Sequence, residues 1–117
     1  MSKGFSIGLD AVTDEVTDEQ PQKTVRCKNC EHEITDPTLA TQPHEHTFRN
    51  PGGYSFHVLC YSDAPGAADV GDATTEDSWF PKYAWTFAIC EQCHNHLGWW
   101  YKGADRFAGL IATRLIR

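Results

Sequence analysis

Beyond residue 24 the chain reads as short apolar runs cut by turn-forming residues. Thr24–Cys27, Glu45–Arg49, Tyr54–Cys60, Ala84–Cys90 and Leu97–Lys102 are each four to seven residues long and rich in β-branched or aromatic side chains, as strands are. Asn50-Pro51-Gly52-Gly53 stands between two of them and predicts a hairpin turn. Asp63 to Asp77 is small and polar and predicts a long loop, which in a compact domain is either functional or disordered. Phe107 to Ile116 fits a strand or a short helix, and periodicity does not separate the two.

Residues 1–23 break this pattern. They hold five acids (Asp10, Asp14, Glu15, Asp18, Glu19) and few bulky apolar groups, and predict a solvated, disordered tail ahead of a domain at 24–117. A helix from Phe5 to Val16 is the competing reading, on weak apolar spacing.

With 117 residues, 40% hydrophobic and 22% charged, the chain has the composition of one soluble domain. Such a chain buries only about two-thirds of its unfolded surface, so a covalent or metal staple helps. The net charge of -6 argues against binding nucleic acid or an anionic membrane, since neither phosphate surface is neutralised by an acidic partner. There is no apolar run long enough to span a bilayer and no basic-then-apolar leader, so the expected location is cytoplasmic. In that reducing setting, closely spaced cysteines are metal ligands or redox groups before they are disulfides.

Five cysteines are present, and four form two C-x-x-C units, Cys27-Lys28-Asn29-Cys30 and Cys90-Glu91-Gln92-Cys93, 59 residues apart. Two residues between thiolates let a tight turn present both to one ion, and two such turns complete a tetrahedral S4 zinc site. Four protein ligands leave no open position, so the one Zn2+ is expected to be structural. A thioredoxin-like pair needs only one such unit, and two disulfides need an oxidising compartment. Cys60 is left over. His57 nearby invites a Cys/His nucleophile reading, but strand residues three apart face opposite ways, so a buried inert thiol is expected. His94 and His96 flank the second unit and are expected to leave the metal to the thiolates.

All four tryptophans fall within residues 79–100. In the strand at 97–102, Trp99 and Tyr101 share a face and Trp100 takes the other. With Trp79 and Trp85 they are expected to converge beside the zinc, either as core or as an aromatic box. Such a box holds a quaternary ammonium by cation–π attraction, or a neutral ring by apolar contact plus a few hydrogen bonds.

The run Glu76-Asp77-Ser78-Trp79-Phe80-Pro81-Lys82-Tyr83-Ala84-Trp85-Thr86 resembles the thalidomide-binding CULT domain of cereblon. So do Cys90-x-x-Cys93-x-x-His96-Leu97-Gly98-Trp99, Asn50-Pro51-x-Gly53-Tyr54 and the first C-x-x-C. The resemblance covers about residues 25 to 113 and reads as a single-domain, bacterial-type homologue. It implies an all-β, β-tent fold, with two antiparallel sheets at a steep angle pinned by one structural zinc. It also implies that Trp79, Trp85 and Trp99 wall a cage for a glutarimide or related cyclic imide, thalidomide-like or uridine-like, with Tyr101 at its base. The imide edge is then met by backbone around Ser78, namely the Asp77 carbonyl and the Trp79 N–H. Asn50, Pro51 and Phe56 border the mouth. The implied function is ligand binding without catalysis, by a monomer whose partner is a small cyclic imide or a protein C-terminal cyclic imide. The alternatives are a methionine sulfoxide reductase-like zinc enzyme, for which Cys60 is the only spare thiol, and a reader of methylated lysine, for which Asp77 or Glu76 would supply the carboxylate.

Overall fold

A computed structural model describes residues 23–117; apart from Lys23, the tail expected at 1–23 lies outside the described residues. The strands are β1 (Val25–Cys27), β2 (Glu33–Thr35), β3 (Ala40–Arg49), β4 (Ser55–Tyr61), β5 (Ala67–Thr74), β6 (Ala84–Cys90), β7 (His96–Lys102), β8 (Arg106–Ile111) and β9 (Leu115–Ile116). Short 3-10 turns at Pro37–Leu39 and Ala112–Arg114 are the helical elements among the described residues. The strands form two antiparallel sheets, a small one in the order β9-β1-β2 and a large one in the order β3-β4-β8-β7-β6-β5. The all-β expectation holds, with the two sheets a β-tent requires.

Alternation along the strands gives the large sheet two different faces. On one, Leu59, Tyr61, Ala88, Cys90, Leu97, Trp100, Ala108 and Leu110 join Val25, Cys27, Ile34 and Leu115 of the small sheet in a single buried cluster. The intervening residues Val58, Cys60, Trp85, Trp99, Tyr101 and Phe107 therefore point to the other face. That face is covered by the connection from β5 to β6. Phe80 in this connection meets the rings of His46, Phe48, Tyr101 and Phe107 at centroid distances between 4.7 and 5.3 Å. Trp100, on the zinc side, is 1% exposed, and the Arg106 guanidinium lies 3.6 Å from its ring centroid. At Gly98 β7 and β8 come so close that a Cβ would sit 2.1 Å from the Gly109 carbonyl oxygen, so only glycine fits.

Three expectations change. Asp63 to Asp77 is not one loop, because Ala67–Thr74 pairs with β6 as the edge strand β5, Ala67 opposite Cys90 and Val70 opposite Phe87. Its small residues hide it from an apolar pattern; partners on β6 supply the packing. Glu33–Thr35 is a strand too short for alternation to reveal. Phe107 to Ile116 divides into the end of β8, a 3-10 turn and β9.

A polar tie fixes β5. Thr86 Oγ1 donates to Asp69 Oδ1 at 2.6 Å, and Lys102 Nζ bonds Asp69 Oδ2 at 2.6 Å. Burial pushes the Asp69 carboxyl up, but the hydrogen bonds from Lys102 and Thr86 and the charges of Lys102 and Arg106 outweigh it, holding the group below the ordinary 3.8. Asp69→Asn should therefore cost about 1 kcal/mol, the upper range for a partly exposed pair. Because the folded value is depressed, this stability is present above the ordinary Asp pKa and lost as pH falls through the folded one. Thermal melts from pH 7 to pH 3 should show a shallower acid loss in the variant than in the wild type.

Candidate functional site

Each C-x-x-C unit leaves a strand and turns in the same way. In the first, the Glu31 N–H donates to the Cys27 carbonyl at 2.7 Å and the Cys27 N–H to the His32 carbonyl at 2.9 Å. In the second, the His94 N–H donates to the Cys90 carbonyl at 2.8 Å and the Cys90 N–H to the Asn95 carbonyl at 2.9 Å. The residue after each second cysteine takes a left-handed backbone, Glu31 at φ 66° and His94 at φ 67°, although neither is glycine. These bonds aim the amides and thiols of each turn at one point.

There the four sulfurs meet. Cys27 Sγ lies 3.7 Å from Cys93 Sγ and Cys30 Sγ lies 3.6 Å from Cys90 Sγ, and all four sit within 4.8 Å of one another. A tetrahedron with Zn–S bonds of about 2.3 Å has S–S edges of about 3.8 Å, so the spacing suits that ion. Cys27, Cys30, Cys90 and Cys93 are a zinc site, linking β1 to β6 across the two sheets. His94 and His96 stay out of it. Arg114 Nη1 can only donate, so its 3.3 Å contact leaves His96 Nδ1 as acceptor, and Nε2–H donates to the Gly98 carbonyl at 2.8 Å. Burial, with the Arg114 charge, lowers the His96 pKa and favours this neutral form.

The aromatic residues gather on the opposite face of the large sheet, not beside the zinc. Asn50, Pro51, Asp77, Trp79, Trp85, Trp99 and Tyr101 line a cavity of about 170 Å3. Cross-strand register builds half of it, with Trp85 opposite Tyr101 and Phe87 opposite Trp99. The turn 75–78 builds the rest: the Ser78 N–H donates to the Thr75 carbonyl at 3.1 Å, and Asp77 sits at φ 56°, which Asp tolerates better than most residues. Asn50 closes the hairpin, its Oδ1 accepting the Tyr54 N–H at 2.9 Å.

Two indole N–H groups are engaged by the main chain. Trp79 Nε1 donates to the Arg49 carbonyl at 3.2 Å and Trp85 Nε1 to the Glu76 carbonyl at 2.7 Å. The Trp79 and Trp99 rings meet edge to face at 4.9 Å and 78°. Phe48 stacks on Trp79 at 4.9 Å and 11°, and Phe56 touches both Trp79 and Trp99. Phe56 thus buttresses two walls and does not line the cavity. The Ser78 hydroxyl turns to the Phe80 carbonyl, so only its backbone remains near the site. Phe48 and Phe80 were not among the expected site residues; adjacency to Trp79 in sequence was the one signal for Phe80, and Phe48 carried none.

Cys60 lies on this aromatic face, 2% exposed. Burial pushes its thiol up to about 12. Tyr101 is raised by burial and by Cys60, so the base of the cavity is an un-ionised phenol.

Residues 23–109 match the family described as Yippee zinc-binding/DNA-binding/Mis18, centromere assembly. Among curated proteins the chain is similar to Protein cereblon of Danio rerio, 34% identical over 101 residues, which is 77% of this chain and 23% of that one. It is 38% identical over 73 residues to Protein cereblon of Gallus gallus, covering 57% of this chain and 16% of that one. It is 50% identical over 49 residues to that of Drosophila willistoni, covering 42% and 7%. The chain spans less than a quarter of the length of these relatives.

Proposed function

The chain belongs to the Yippee-Mis18 family and carries a cereblon CULT-like zinc domain, and from that premise we propose that it is a binding module, without catalysis, for neutral cyclic imides. One observation carries the reading. The indoles of Trp79 and Trp85 are tied by their N–H groups to the backbone, so they offer the cavity ring faces, while polar contact is left to the main chain of 77–79. A glutarimide has an N–H between two carbonyls. In this reading the Asp77 carbonyl accepts that N–H and the Trp79 N–H donates to a ring carbonyl. The indole faces exclude water and so strengthen both bonds. Thalidomide-like and uridine-like rings, and cyclic imides at protein C-termini, share this edge.

The other readings fare worse on the same geometry. A sulfoxide reductase needs an accessible thiolate, whereas Cys60 is buried with its thiol raised. A methyl-lysine reader needs a carboxylate among the rings, and the one acid lining this cavity, Asp77, is exposed. DNA binding, named in the family description, calls for a basic face, and the chain carries a net charge of -6.

Tryptophan fluorescence reports directly on the cavity walls. Titration with glutarimide should give a saturable change, and a trimethyl-lysine peptide should give none. A response to the peptide alone would overturn the reading.

A further inference from the structure

On the aromatic face, beyond Phe80, lies a second cavity of about 400 Å3, more than twice the size of the tryptophan-lined one. Its origin is a slip in the register of β3. Ala40 faces Tyr61 and Glu45 faces Leu59, so the stretch between them is longer on β3 than on β4 and bows outward. The bow is held in place: Thr41 Oγ1 donates to the Pro43 carbonyl at 2.8 Å, and His44 Nδ1 donates to the Cys60 carbonyl at 2.8 Å. The space opened beside Cys60 is walled by Phe80, Tyr83 and Phe107, whose rings meet edge to face at 4.9 and 5.3 Å.

Two residues that line it are charged, Asp105 and Arg106, and both are already engaged. Tyr83 Oη donates to Asp105, and Arg106 lines the cavity but turns its guanidinium away over Trp100 on the zinc side, with Nη1 3.7 Å from Asp63 Oδ1. An ion therefore gains little here. Gln42 and Ser62 add an amide and a hydroxyl at the edge. The volume falls in the range of small-molecule sites, which combine apolar walls with a few polar groups. Phe80 and Tyr101, 4.7 Å apart, separate this cavity from the tryptophan cage. We propose that it is a second small-molecule site, taking a flat, uncharged heteroaromatic such as a purine base against its aromatic walls. The proposal does not depend on what the cage binds.

Adenine is the probe. Titrated into the zinc-loaded, 15N-labelled chain, it should give saturable amide shifts at Thr41, Ser62, Tyr83 and Phe107, leave Asn50, Trp85 and Trp99 in place, and do so equally when glutarimide is at saturation. Ser62 is exposed, so Ser62→Leu should fill the mouth without unfolding the domain, and Tyr83→Ala removes a wall; each should weaken adenine about tenfold. Retained zinc would certify the fold of both variants. The proposal fails if adenine gives no saturable shift up to its solubility, if the shifts centre on Trp79, Trp85 and Trp99, or if both folded variants bind adenine as the wild type does.

Discussion

Cys90→Ser should abolish zinc binding and leave the domain unfolded at 25 °C. Cys90 is fully buried at the junction of β6 with the small sheet, and its sulfur lies 3.6 Å from Cys30 Sγ. Structural zinc contributes an apparent ~10–16 kcal/mol in small zinc-folded peptides, against ~5–15 kcal/mol for the net stability of a typical domain. Losing the ion is therefore enough to reverse the folding equilibrium. Bound zinc per chain, measured on purified protein with near-ultraviolet circular dichroism, checks this. Cys60→Ser is the matched control, since Cys60 is on the other face of the sheet, and it should keep one zinc. A Cys90→Ser protein that is folded without zinc would remove the metal from its structural role, and one with full zinc content would remove Cys90 from the ligand set.

Trp79→Ala or Trp99→Ala should weaken glutarimide binding by about 2 kcal/mol or more, roughly thirtyfold, while the fold and zinc persist. Both rings are only half-buried and lie outside the cluster shared by the two sheets, so truncation opens the cavity without hollowing the core. The two losses should not simply add. The rings touch at 4.9 Å and 78°, and removing one frees the other to move. Isothermal titration of each variant, with thermal melts in parallel, separates affinity from stability. Affinity unchanged in both variants would mean that these aromatics are packing alone.

The metal ligands were legible because a C-x-x-C turn is a local device. Its geometry depends on four consecutive residues, and two copies with polar interiors leave little else for the thiols to do. Strand alternation likewise separated Trp99 and Tyr101 from Trp100 correctly, as the 1% exposure of Trp100 within the inter-sheet cluster bears out. The edge strand β5 was not legible. Ala67-Ala68-Asp69-Val70-Gly71-Asp72 has neither bulk nor alternation of its own, and forms a strand because β6 offers it hydrogen bonds and because Lys102 and Thr86 satisfy Asp69. Phe48 and Phe80 were missed for a related reason: what they do depends on the connection 75–83 crossing the sheet, which no local pattern encodes.

The sequence alone determined the chemical inventory: four thiolates at zinc spacing, four tryptophans gathered within residues 79–100, and a net charge of -6. Only the tertiary structure decided where that chemistry sits. Cys90 and Trp85 lie on the same strand but on opposite faces, so the zinc site joins sheet to sheet on one side while the tryptophan-lined cavity opens on the other, not beside the metal. Spacing is a property of the covalent chain and survives in any fold. Facing, and the register slip in β3 that opens a second cavity behind Phe80, are set by hydrogen bonds between strands far apart in sequence.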